Sequence, residues 1–213
     1  MELLTTGITF FQKGGIVMYV LLLCSLFVLS IGIERALYFR RMDSGRAFAR
    51  DFYLALANGK RQQAEKLADD ARGALADILF AVITKKPAAS KNPATYMEVQ
   101  SGIALAKLRK RLYYLSVIVT MAPLLGLLGT ISGMITSFSV FNLESGQATA
   151  ITGGVGEALI ATAMGLCVAI ISLTVHAYFS QRIENIVTDM EQCFSMVETA
   201  AAERDGMNKE EAA

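Results

Sequence analysis

The chain has 213 residues, 54% of them hydrophobic and only 18% charged, and its mean hydropathy of +0.44 excludes an ordinary soluble domain of this length. A formal net charge of +1 conceals segregation, because 16 of the 20 Lys and Arg residues lie between Arg35 and Arg111. The three cysteines, Cys24, Cys167 and Cys193, form no Cys-x-x-Cys or Cys/His spacing, so neither disulfides nor a metal site is expected, and no cofactor is implied.

Residues 1–13 carry a single basic residue, Lys13, and precede the first uncharged stretch, 14–33. About 20 helical residues cross a bilayer core of about 30 Å, so this stretch is long enough to span. With little positive charge before it and no small-residue cleavage site after it, a retained transmembrane helix over 14–38 is expected rather than a cleaved signal.

Residues 39–111 read as a cytoplasmic set of helices, not a separate globular domain. Asp43 and Ser44 are expected to cap a helix carrying Phe48, Phe52 and Leu56 that stops at Asn58-Gly59. Apolar residues at 64, 67, 68, 71, 75, 78, 79 and 82 predict one helical run over 61–85, and Pro87 and Pro93 then break the chain. Thr95 and Glu98 have capping-box spacing, predicting a rod that starts near residue 95 and is unbroken until Pro123. Its basic collar, Lys107, Arg109, Lys110 and Arg111, suits anionic headgroups of the bilayer; without interleaved aromatics it does not suggest nucleic acid.

The second uncharged stretch, 112–143, is longer than a membrane needs, so its inner end is expected to protrude from a span placed at 112–141. A short outward linker, 142–156, follows, then a third span at 157–180 and a C-terminal helix and tail at 181–213 with eight Asp or Glu against three basic residues. The fold class expected is all-α: a polytopic membrane protein with three transmembrane helices and long cytoplasmic helical extensions. The distribution of Lys and Arg places the N-terminus and the 142–156 linker outside and the 39–111 segment and the tail inside.

Counted at 100° per residue from Glu157, positions Ala158, Thr162, Gly165, Ala169, Ser172 and His176 fall within about 40° of one line. Ala122, Gly126, Thr130, Gly133 and Ser137 form a matching line on the second span, beside Pro123, and Gly129 pairs with Gly133 in a Gly-xxx-Gly spacing. Both lines suit close helix packing in lipid, and packing alone would explain them. Glu157 adds chemistry, since a carboxylate at the start of an uncharged stretch is costly unless it faces protein or water. Its bland role is to cap the third helix after Gly153, Gly154 and Gly156. In its functional role a carboxyl poised between burial and water loads and releases a proton, while Thr130 and Thr162 order water or an ion with their hydroxyls, unless those bond back to their own helices. His176 is expected near the inner interface, as an interfacial side chain or a candidate relay.

The runs TMAPLLGLLGTISGMITSF (120–138) and GVGEALIATAMGLCVAII (154–171) resemble the signature stretches of the MotA/TolQ/ExbB proton-channel family, closest to ExbB and TolQ. The resemblance extends to the three-span layout; Ser132 and His176 depart from the pattern. It implies a non-enzymatic subunit of an ion-driven motor in the bacterial inner membrane, powering envelope transport or maintenance. Such subunits form a ring, usually a pentamer, around a dimeric ExbD-like or TolR-like partner whose single span carries an aspartate, with a TonB-like or TolA-like protein beyond. It assigns pathway roles to Thr130, Glu157 and Thr162. The other reading is a non-conducting oligomeric scaffold. A hydrolase pairing Ser132 with His176 lacks the Gly-x-Ser-x-Gly motif.

Overall fold

A computed structural model describes residues 15–84, 92–143 and 148–210. It contains seven helices over these residues and no strand among them: α1 Gly15–Met42, α2 Arg46–Ala57, α3 Arg61–Asp70, α4 Ala74–Ile83, α5 Pro93–Arg109, α6 Leu112–Leu143 and α7 Ala148–Glu210. Three helical stretches, within α1, α6 and α7, are long and apolar enough to cross a membrane, and the chain is an all-α multi-pass membrane protein. The residues divide into two compact units, one of residues up to Glu34 with Arg111–Tyr178, the other of Arg35–Lys110 with residues from Phe179 onward.

The first unit holds the three apolar stretches. Val17, Met18, Leu21, Val28 and Ile31 of α1 are buried at helical spacing, while Leu22, Leu23, Leu26 and Leu29 are exposed. Apolar residues all round a helix are stable where the surroundings are themselves apolar, as lipid is. Leu124, Leu128, Ile131 and Ile135 of α6 and Leu159, Leu166, Ile170 and Leu173 of α7 are likewise exposed.

The second unit includes helices packed in sequence, α2 on α3, α3 on α4 and α4 on α5. Phe52 of α2 is fully buried beside Phe48, their ring centroids 5.8 Å apart, and the helix stops at Asn58-Gly59, Gly59 having φ +70°. In α7, Ile183, Ile186, Met190, Cys193 and Val197 are buried at alternating spacings of three and four, the apolar stripe of a packed helix. Phe179 stacks on Phe39 at 5.1 Å, and Asp43 accepts from Arg182 Nε at 3.1 Å. Arg35 is almost wholly buried. Its Nη1 donates to the carbonyls of Lys107 and Leu108 at 3.2 and 3.4 Å, a cation set at the negative end of α5.

Several local expectations need correcting. Asp43 and Ser44 do not cap α2; Gly45 holds the N-cap position, and Ser44 Oγ instead accepts from the N–H of Ala76, on α4, at 3.2 Å. The run over 61–85 is two helices. Gly73 separates them at φ +120°, where a Cβ would lie 2.5 Å from Ser44 Oγ and 2.8 Å from Met42 O, so the turn must hold a glycine. The capping box at Thr95 is absent: Asn92 is the N-cap, its side chain accepts from Thr95 N at 3.2 Å, and Pro93 starts the helix where a missing N–H is harmless. Pro87 lies outside the described residues. The rod from 95 is interrupted by a two-residue turn at Lys110 and Arg111, although Lys110 keeps right-handed helical angles. Pro123, in contrast, does not end the second span and sits inside α6. The helix of the third span begins at Ala148, nine residues before Glu157, and takes in Gly153, Gly154 and Gly156 from the expected linker.

Candidate ion pathway

Helices α6 and α7 meet along the two small-residue lines. A Cβ on Gly126 would lie 3.0 Å from Ala161 O and from Thr162 Cα, and 3.3 Å from Gly165 Cα; one on Gly165 would lie 2.6 Å from Ala122 O and 3.0 Å from Gly126 Cα. At this level the two helices touch backbone to backbone. Further along, a Cβ on Gly133 would lie 2.8 Å from Ala158 Cβ, and one on Gly154 would meet the Ser137 hydroxyl. The order of the pairs, 122 with 165, 126 with 162, 133 with 158 and 137 with 154, is that of antiparallel neighbours. Small residues permit this approach in lipid, where packing and hydrogen bonds hold helices together.

Two hydroxyls lock the seam. Thr162 Oγ1 donates across it to Gly126 O at 3.1 Å, and the fully buried Ser172 donates to Leu115 O at 3.4 Å. Thr130 and Ser137 take the bland role instead, donating to Leu127 O at 2.6 Å and Gly133 O at 2.8 Å on their own helix. Both candidate threonines thus give their proton to a backbone carbonyl and keep oxygen lone pairs for accepting. Ala122 and Ala158 are buried in the seam, Ala169 is buried, Pro123 is half-buried and adds no N–H to the α6 ladder, and His176 is half-buried.

The seam also contains residues absent from the sequence lines. Ala161 Cβ lies 2.6 Å from where a Gly129 Cβ would be, and Val17 of α1 lies 3.4 Å from the same point, so Gly129 is where all three spans meet. Gly154 was hidden because its glycine-rich surroundings read as linker, and Ala161 because it sits at the edge of the line drawn through Ala158 and Gly165.

Position 157 is helical, and the Glu157 side chain lies outside the described residues. Nine residues of α7 precede it, so it is not an N-cap, whose favourable field is confined to the first turn. Counted round the helix, position 157 is about 100° from the middle of the small-residue line, at its flank. Val175, on that flank, has Cγ1 3.6 Å from where a Gly32 Cβ would be, so this side of α7 turns toward α1.

A family model described as the MotA/TolQ/ExbB proton channel family matches residues 70–192, more than half of the chain and including Thr130, Glu157 and Thr162. Among similar proteins, the putative biopolymer transport protein ExbB-like 1 of Synechocystis is 35% identical over 170 residues, covering 78% of this chain and 67% of that protein. A second Synechocystis protein, putative biopolymer transport protein ExbB-like 3, is 34% identical over 166 residues, 76% of this chain and 79% of that protein. The Tol-Pal system protein TolQ of Pseudomonas aeruginosa is 34% identical over 82 residues, 38% of this chain and 36% of its own length.

Proposed function

The chain belongs to the MotA/TolQ/ExbB proton channel family, and from that premise we propose that it is the ring-forming subunit of a proton-driven motor in the bacterial inner membrane. Glu157 carries the proton, with Thr130 and Thr162 beside its path. The observation that carries this reading is the place of Glu157: nine residues inside a continuous helix, in a stretch with no other charge from Ala158 to Gln181. A carboxylate at such a place must face protein or water. Threonine oxygens whose protons are already committed to carbonyls accept hydrogen bonds, which suits water or hydronium in transit.

In this reading five copies enclose an ExbD-like or TolR-like dimer whose membrane aspartate exchanges protons with Glu157, and a TonB-like or TolA-like protein carries the motion to the envelope. The N-terminus and the link between α6 and α7 face outward, and the second unit lies in the cytoplasm, in keeping with the 16 basic residues between Arg35 and Arg111. Each charge that crosses releases about 2.3 kcal/mol per 100 mV, so a few protons suffice for a conformational step.

The test is Glu157→Gln in the complex purified through the full chain and reconstituted in vesicles. Proton flux is expected to vanish while the oligomer keeps its size; undiminished flux overturns the reading. The backbone contact of Gly126 with Gly165 favours a second reading, a non-conducting scaffold. That reading predicts tolerance at Glu157 together with loss of the oligomer on bulky substitution of Gly126, Gly133 or Gly165.

A further inference from the structure

His176 was left without a role by the seam and by the family motif. Three ionisable groups stand at one level of the first unit: His176 of α7, Glu34 of α1 and Arg111, just before α6. Ser172 is paired with Leu115 across the seam, and Gly165 with Ala122, the same antiparallel register over this inner part of the seam. One further turn along both helices brings His176 to the level of Arg111. Arg111 Nη1 is ion-paired with Glu34 Oε2 of α1, both side chains being partly exposed. His176 is half-buried, on the seam side of α7.

These groups end a long interval without charge. Residues 16–33, 112–143 and 158–175 contain no Asp, Glu, Lys, Arg or His. Between the level of Glu157 and this one, about 28 Å at 1.5 Å per residue, the three helices offer hydroxyls, thiols and phenols but no group that changes charge readily near neutral pH. A proton travelling inward from Glu157 therefore meets its first such group here.

We propose that His176 is the proton-release group at the inner end of the pathway, at the level of the Glu34–Arg111 ion pair. The proposal rests on the proton-pathway reading of Glu157. In the step, one ring nitrogen of neutral His176 accepts a proton from pathway water, and the other ring nitrogen gives its proton to water on the cytoplasmic side. A tautomer change or ring rotation restores the starting state, so no net charge is left and no other reactant is needed. Imidazole suits this work because it changes charge between about pH 5 and 8. Glu34 of α1 and Arg111, just before α6, are the charged groups that the register places at its level.

The test uses the same reconstituted complex, with proton influx driven by a potassium diffusion potential at a series of internal pH values. Wild-type flux is expected to show an inflection between about pH 5 and 8. His176→Ala is expected to lower flux roughly tenfold or more and remove the inflection, and imidazole added inside the vesicles is expected to restore most of the flux. A merely structural histidine would not respond to a diffusible base. Should His176→Ala fail to assemble, His176→Asn keeps a similar shape, and the wild-type pH profile needs no variant. An inactive Glu157→Gln beside a His176→Ala variant with wild-type flux, or one that imidazole does not rescue, overturns the role of His176 alone. A wild-type profile without the inflection does the same. An active Glu157→Gln overturns the pathway reading, and this proposal with it.

Discussion

The hydroxyl of Thr162 has two tasks, and substitution separates them. Its bond to Gly126 O closes the seam, so Thr162→Val is expected to lower the stability of the detergent-solubilised protein by about 1 kcal/mol in thermal unfolding, while Thr162→Ser retains most of it. Asp189 on α7 gives a pH-dependent counterpart in the second unit. Burial pushes its carboxyl above the usual range and nearby Asp43 adds to this, against the attraction of Arg46. A raised folded-state value means that the folded form binds the proton more tightly. This contribution to stability is fully present below the unfolded carboxyl range and is lost as pH rises through the folded value. Asp189→Asn is therefore expected to raise the melting temperature at pH 7 and to flatten its dependence on pH between about 3 and 7; a lower melting temperature at pH 7 would contradict this. Cys193, one turn away and donating to Ala49 O at 3.5 Å, is pushed up to about 12 by burial and by Asp189, so it is held as a neutral thiol.

At the scale of elements, glycines show what a residue pattern reveals and what it hides. The apolar period through Ala64, Ala68, Leu75, Ile78, Leu79 and Val82 correctly marked a buried face, yet it ran on through Gly73 because periodicity does not register a reversal of φ. Gly73→Ala forces a Cβ against Ser44 Oγ and Met42 O and is expected to destabilise the second unit by about 2 kcal/mol or more, whereas Gly102→Ala, with nothing within 4 Å, is expected to stabilise α5 by about 1 kcal/mol. Thermal unfolding followed by circular dichroism distinguishes the two directions. The caps were harder to place from sequence. Ser44 is a good cap by type, but a distant helix claimed its hydroxyl, and Asn92 won over Thr95 because Pro93 fits the first helical position. In the seam, Gly126, Gly133, Gly165 and Thr162 could be picked out from the sequence as small residues at helical spacing, whereas Gly154 and Ala161 could not. What a single chain withheld was the extent of α7. Three glycines before Glu157 read as linker, although in a helix already held by a neighbour they are tolerated.

For the whole molecule, the three apolar stretches and the bias of basic residues were plain in composition, because a bilayer imposes a length and a charge rule that few other environments impose. The orientation proposed from that bias is open to a direct check. With Cys24, Cys167 and Cys193 replaced, a cysteine introduced at Lys60 is expected to react with a membrane-impermeant maleimide only when the inner face is opened; reaction in intact spheroplasts would reverse the topology. The packing of helices in the second unit was less legible, since which amphipathic faces pair depends on contacts far apart in the chain, such as Arg35 with the carbonyls of Lys107 and Leu108.

The meeting of Gly126 with Gly165 has a genetic corollary. In most cores an enlarged side chain can be accommodated by shrinking its neighbour, and second-site revertants arise in that way. Here the neighbour is already a hydrogen atom on a main chain, so a methyl gained on either helix has nothing opposite it to be trimmed. A selection for suppressors of Gly165→Ala should therefore return true revertants, or changes elsewhere that shift a whole helix, and none at position 126.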